Sequence, residues 1–253
     1  MHLESGIGKL HSTGTEKIIF LTGCINPDGM SLTKLQNPVI RRNQYLSSII
    51  FYLENYDLPV LFVENSNTDI RQYLPKNIDV RRLEILTFDG NSFSKSRGKG
   101  YGEMAIIDHA IKNSVFYRNA EFIFKITGRH KVLNFASILN QANSDLTVDM
   151  IVDMWNMFAY ADSRCWGASK DFISNVFINF WEEVDDSKGY NFEDALAKSV
   201  YKGLQLGFKL DLMKHTPRFR GSSGTENKAF NDQWIYWFPR NIVHIIKYLL
   251  NKR

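Results

Sequence analysis

The sequence predicts an α/β fold: one domain built on a mixed, mainly parallel sheet with helices on both faces. Three observations predict it. Short apolar runs alternate with stretches of helical spacing. Each apolar run empties into a polar or glycine-containing corner. The order β-α-β-(short α)-β-loop-α-β is the one that parallel strands joined by crossovers require.

Taken in turn, "KIIFLTGCI" (17–25) is a continuous apolar run that closes on Gly23, as a strand buried on both faces does. "PVIRRNQYLSSIIFYLENY" (38–56) carries Val39, Tyr45, Ile49, Ile50 and Leu53 at helical spacing, with Pro38 near its start. "LPVLFVENSN" (58–67) and "DVRRLEILTFD" (79–89) are the second and third strands. "FSKSRGKGYGE" (93–103) is a glycine and lysine loop, and "EMAIIDHAIKNSVFY" (103–117) is a helix. "AEFIFKIT" (120–127) is the fourth strand. Beyond it, 149–162 and 163–183 suggest strands feeding one helix, and 191–208 is a helix opened by Asn191 with acids in its first turn.

Composition narrows the function classes. With 253 residues and 44% hydrophobic residues the chain can bury a sizeable core. A net charge of +4 allows an anionic ligand but is too mild to argue for nucleic acid. Cys24 and Cys165 are the two cysteines, without metal-type spacing, which fits a reducing, cytoplasmic setting. No run reaches the roughly 18–20 apolar residues of a membrane span. Residues 1–17 lack an apolar signal core and read as a flexible leader or an expression remnant; 18–230 form the domain. Residues 231–253 form a basic amphipathic helix, packed on that domain or facing an anionic membrane.

Ligands of parallel sheets lie at the carboxyl ends of the strands. The corners there are "TGCINP", "VENSNTD" and "KITGRHK". Thr22, Gly23, Glu64 and Asn65 are candidates for a nucleoside. Lys99, Gly100, Gly102 and Glu103 stand where a helix begins, which favours phosphate or plain capping. Lys125 sits inside an otherwise apolar strand and must find a partner, because an unpaired buried ammonium is costly. A phosphate is the favoured partner. Thr127 and Arg129 follow it, and Arg218 and Arg220 lie in the basic loop "KHTPRFRGSSGTENK" (214–228), a candidate lid. Asp162 and Arg164 face an acceptor or pair with each other. Asp194 and Glu193 are a general base or ordinary helix-start acids. The histidines do not cluster, so no metal site is predicted.

The ordered set "VENSNTD", "KGYGEMAIIDHA", "KITGR", "NFEDALAKSV" and "GSSGT" resembles GT-A glycosyltransferases of bacterial surface-polysaccharide type (capsule, O-antigen or lipopolysaccharide). The resemblance covers residues 18 to about 230. It implies a GT-A-like fold and transfer of a sugar from a nucleoside diphosphate donor, UDP-linked by default, to a glycan or lipid-linked glycan. It also implies Asp194, with Glu193 beside it, as the base of an inverting reaction. The C-terminal helix leaves open contact with the cytoplasmic face of the inner membrane, which would suit a lipid-linked acceptor. One departure stands out. The family's Asp-x-Asp metal ligands are replaced by Thr127-Gly128-Arg129-His130, so a diphosphate held by fixed cations is expected, with no obligatory metal. Asp149 or Asp153 remains an alternative holder of Mn2+ or Mg2+. The rivals are a sugar-nucleotide nucleotidyltransferase and a non-catalytic nucleotide- or anion-binding relative; nucleic acid is not expected as a partner.

Overall fold

The computed structural model describes residues 17–31, 33–156, 158–223 and 228–251, so the expected leader lies outside the described residues apart from Lys17. In chain order the first half runs β1 (Lys17–Gly23), α1 (Pro38–Asn55), β2 (Val60–Glu64), β3 (Leu83–Thr87), α2 (Gly98–Asn113), α3 (Val115–Asn119) and β4 (Phe122–Thr127). The second half runs β5 (Lys131–Val132), α4 (Phe135–Ser144), β6 (Met150–Val152), β7 (Met154–Trp155), β8 (Tyr160–Ala161) and β9 (Cys165–Ser169). It closes with α5 (Lys170–Asn175), α6 (Phe192–Gln205), β10 (Leu210–Leu212), β11 (Phe219–Arg220) and α7 (Trp234–Asn251).

Seven strands form one sheet in the order β3-β2-β1-β4-β9-β6-β10. All run the same way except β9, which is antiparallel to both neighbours. This is the expected α/β, mainly parallel class. The apolar runs explain why the sheet is covered twice. Along β1, Ile18 and Phe20 join one core with α2, α5 and α6, while Ile19 and Leu21 join the other with α1 and α4. Successive side chains of a strand point to opposite faces, so a strand without polar alternation must be buried on both.

Register then builds the functional edge. Thr22 pairs with Thr127, and Gly23 with Glu64, so β1, β2 and β4 end level with one another. Directly after β4, the Gly128 N–H donates to the Thr22 carbonyl at 2.9 Å. A Cβ at 128 would lie 2.6 Å from that oxygen, so only glycine lets the chain fold flat across the end of β1.

Two helix starts show how local sequence sets the frame. Asn37 caps α1 by accepting from the Val39 and Ile40 N–H groups, with Pro38 in the first turn. Asn191 and Asp194 form a reciprocal capping box on α6. The glycine and lysine segment departs from expectation. Gly98, Gly100 and Gly102 lie inside the first turns of α2, and the helix ends at Asn113 instead of 117. Their missing side chains admit Phe192 and Val184 at Gly100, and Phe93 and Asn65 at Gly102.

Candidate functional site

Two cavities open at the carboxyl edge of the sheet and share Lys99, Glu103, Thr127 and Arg129. The smaller, about 100 Å3, also takes in Thr22, Gly23, Arg41, Tyr45, Asn65 and Gly102. The larger, about 550 Å3, adds Gly100, Tyr160, Asp162, Arg164, Asp186, Phe192 and Glu193. Residues that the sequence singled out separately are thus brought to one cleft.

The smaller cavity is walled by two buried guanidinium groups. Arg129 is 6% exposed and donates to Gln44 Oε1 at 3.1 Å. Arg41 is 5% exposed and donates to the Cys24 and Leu35 carbonyls and to the Tyr45 hydroxyl. Neither has a carboxylate partner among the described residues. Burial presses the Arg129 pKa below its ordinary value, and Arg41 beside it acts in the same direction. Asn65 adds a buried acceptor: its amide nitrogen donates to the Gly102 carbonyl, while its Oδ1 has no partner. Two enclosed cations without counter-charge are a costly arrangement in a free protein and a favourable one for binding an anion.

Lys125 resolves differently from expectation. It is fully buried, with Nζ 2.6 Å from Glu103 Oε1 and 2.7 Å from the Ser163 carbonyl. Its charge is already answered, so it does not face a phosphate. The same Glu103 oxygen accepts from Thr22 Oγ1 at 2.6 Å, and Ser163 Oγ donates to Glu193 Oε1 at 2.6 Å. A polar chain therefore runs beneath the cleft from the end of β1, through α2 and β4, to the start of α6.

Four further expectations are corrected by geometry. Glu64 is wholly buried and accepts from the N–H groups of Ile25, Ser66 and Thr68 and from the Ser66 hydroxyl. Burial raises its carboxyl above the usual range. It ties the loop after β1 to the loop after β2 and lines neither cavity, so it does not face a nucleoside. Asp194 spends its carboxylate on the Asn191 N–H and stays out of the cleft, whereas Glu193 enters it. Arg218 donates to the Asp232 carbonyl, and Arg220 pairs with the Asp232 carboxylate; neither lines either cavity. The tip of the expected lid, 224–227, lies outside the described residues.

Asp162 and Arg164 are both present in the larger cavity and paired with each other. Asp162 Oδ1 accepts from the Arg164 N–H and Nε, each at 2.9 Å. The Arg164 guanidinium also lies 4.6 Å over the Phe219 ring. Asp186, which the sequence reading did not select, stands in a short turn packed against Gly98 at the start of α2; burial raises its carboxyl and nearby Lys99 acts the other way. His130 is 3% exposed and buried neutral, its pKa lowered to about 3 by desolvation and by Arg129.

The fit of a divalent ion can be judged from these donors. The strand end that would supply acids in the resembled family supplies Arg129 instead. Among the described residues no group of three or more His, Cys, Asp or Glu side chains is arranged to hold a metal. Asp149 precedes β6, at the opposite end of the parallel strands, and accepts from the Lys209 N–H. Asp153 is enclosed in a different cavity beside Met213 and His244. The residues at the edge do not fit a cation.

Arg41, missed in the sequence, has only one sequence signal. It is an arginine on the inward side of a helix whose buried positions include Tyr45, Ser48, Ile49 and Tyr52. Asp186 has none, because it stands in a short irregular turn.

No protein-family model matches the sequence, and no curated protein matches it either. Solved structures with a similar fold include 4-diphosphocytidyl-2C-methyl-D-erythritol synthase from Anaerococcus prevotii, at 10% identity and a TM-score of 0.43 over 90% of this chain and 96% of that one. A protein assigned as a nucleotide-diphospho-sugar transferase from Desulfovibrio desulfuricans shares 11% identity, TM-score 0.46, over 93% and 99% of the two chains. Mouse xyloside xylosyltransferase 1 in its apo form shares 8%, TM-score 0.42, over 78% and 85%. The likeness is one of fold alone.

Proposed function

We propose that the chain is a GT-A-like glycosyltransferase that moves a sugar from a nucleoside diphosphate donor, UDP-linked by default, to a hydroxyl of a glycan or lipid-linked glycan. The observation that carries the reading is the pair Arg41 and Arg129, enclosed in the wall of the smaller cavity with no carboxylate partner among the described residues, Arg129 also lining the larger cavity. A diphosphate supplies the missing charge, and Lys99 lines both cavities beside it. Asn65 Oδ1 is an acceptor for a base or ribose N–H or O–H. Donor sugar and acceptor share the larger cavity, with Asp162 and Arg164 as acceptor contacts.

In this reading Glu193 is the base. It takes the proton of the acceptor hydroxyl while that oxygen bonds to the anomeric carbon and the bond from carbon to diphosphate oxygen breaks. The electron pair leaves with the nucleoside diphosphate, whose charge the two arginines hold in a partly dry site. Attack opposite the leaving group inverts the anomeric centre. No step requires a metal; Mn2+ or Mg2+ is not part of the proposal. Assembly of a bacterial capsule, O-antigen or lipopolysaccharide in the cytoplasm is the setting the sequence resemblance suggests.

Nucleotidyl transfer is disfavoured by one feature. The loop after β1 spends its N–H groups internally: Cys24 on the Tyr45 hydroxyl, Ile25 on Glu64 and Asn26 on Ser66 Oγ. These three, the N–H groups directly after the strand end, are therefore not left to cradle a triphosphate. The test is release of nucleoside diphosphate from a panel of nucleotide sugars in the presence of bacterial glycan acceptors. Glu193→Gln is expected to cut turnover about 10²–10⁴-fold while leaving nucleotide binding intact. Unchanged turnover would remove Glu193 from the role.

A further inference from the structure

The last helix is built the wrong way round for a helix that completes a core. α7 is held to the domain by a stripe of polar-tipped side chains. Trp237 Nε1 donates to the Thr216 carbonyl at 2.8 Å, and Asn241 Oδ1 accepts from the Thr216 N–H at 3.1 Å. His244 Nε2 meets the Met213 carbonyl at 2.6 Å, and the Tyr248 hydroxyl reaches Asp211. Residues 237, 241, 244 and 248 recur at the helical spacing of one face.

The apolar stripe lies on the far side and is open. Ile235, Ile242, Ile246 and Leu249 are 68, 41, 52 and 56% exposed, with Val243 and Leu250 beside them. The sequence left open whether this helix packs on the domain or faces a membrane; it packs on the domain by its polar stripe and turns the apolar one outward. A contiguous apolar face of this kind marks a surface that meets a partner.

Charge selects the partner. α7 contains no acidic residue; Arg240 and Lys247 flank the stripe, and Lys252 and Arg253 follow in the sequence. Pairing of two α7 helices from two copies would set these cations against each other with nothing on the helix to offset them. A lipid surface with net negative charge answers both features, taking the apolar side chains between its headgroups and the basic ones at its phosphates. No helix among the described residues is long and apolar enough to cross a membrane, so the contact is with the surface.

We infer that α7 docks the protein on an anionic membrane surface through Ile235, Ile242, Ile246 and Leu249, flanked by Arg240 and Lys247. The inference does not depend on the reaction. It does give the cleft an orientation: a cavity of about 480 Å3, lined by Arg240 and Lys247 of α7, shares Trp155, Arg164 and Phe230 with the larger cavity of the site. A docked molecule would hold that passage beside the headgroups.

The experiment is flotation of the full chain with vesicles of phosphatidylcholine, with and without phosphatidylglycerol, at low and high salt. Flotation with the anionic vesicles, weakened by salt, is expected. Arg240→Gln and Lys247→Gln should each lower affinity about fivefold. Ile246→Asp with Leu249→Asp should abolish flotation while the melting temperature stays unchanged, since both positions face solvent. Wild-type protein that is folded and fails to float at low salt overturns the inference. So does flotation that survives the double aspartate variant. A dimer in sedimentation velocity that these aspartates dissolve, without vesicle binding, assigns the face to a second copy and also overturns it.

Discussion

Two sets of buried cations, one beneath the cleft and one in its wall, are treated differently by the fold. Lys125, beneath the cavity, is met by Glu103 and the Ser163 carbonyl, so its charge is neutralised inside the protein. Arg41 and Arg129, in the cavity wall, are met by hydroxyl, amide and carbonyl oxygens but by no carboxylate among the described residues. The first arrangement holds strands and helices in place. The second leaves a deficit of negative charge that a ligand makes good. Burial of a charged residue therefore does not identify a binding group; the absence of an internal counter-ion does.

The contrast can be broken by mutation, beginning with the largest effect. Lys125→Met strands the Glu103 carboxylate above a hydrophobic floor, and a loss of about 3–5 kcal/mol in unfolding free energy is expected. Chemical denaturation measures it, and adding Glu103→Gln should recover much of the loss. A mild effect of Lys125→Met alone would mean that the pair is not what fixes the floor.

Asp153 sharpens the same point with an acid. Burial, then Asp162, raises its carboxyl to about 7. The folded state therefore binds the proton more tightly than the unfolded chain, and stability falls as pH rises from the unfolded value near 4 through about 7. Asp153→Asn should raise stability on the order of 2 kcal/mol at about pH 8 and leave it nearly unchanged at about pH 4. Melting curves at the two pH values decide it; an equal shift at both would contradict the assigned pKa.

The smallest effect concerns neighbours on α6. Asp194→Ala removes the capping box and should cost about 1 kcal/mol without lowering turnover per folded molecule. Turnover lost with Asp194 but kept in Glu193→Gln would reverse the roles given to the two acids.

Much of the first half was legible because its signals are local. Apolar runs bounded by turn residues fixed β1 to β4, and Pro38 and Asn191 with the acids that follow it mark two helix starts. Spacing alone did not show that Gly98, Gly100 and Gly102 begin a helix, since glycine is a poor helix former and only the close approach of Phe192, Val184, Phe93 and Asn65 explains their use. β10 was missed, and β9 was placed only within 163–183 without its antiparallel direction, because a short strand is chosen by its neighbours as much as by its own residues. Lys125 was rightly singled out as needing a partner, but which partner is a matter of tertiary contact. Glu64 and Asp194 look like ligands by position and turn out to hold backbone N–H groups. For α7 the periodicity was plain and the direction of its apolar face was not, because a helical wheel does not say which side meets the protein.

The central claim is that Arg41 and Arg129 form a diphosphate site that works without a metal. The most direct measurement is the thermal shift of the protein with UDP, in EDTA and then with manganese, for wild type and Arg129→Gln. A ligand that binds only the folded state raises the melting temperature by mass action. The account predicts stabilisation by UDP in EDTA, little gain from manganese, and its loss in Arg129→Gln, whose own melting temperature is no lower than wild type. Stabilisation that appears only with manganese, or that survives the loss of Arg129, would contradict it.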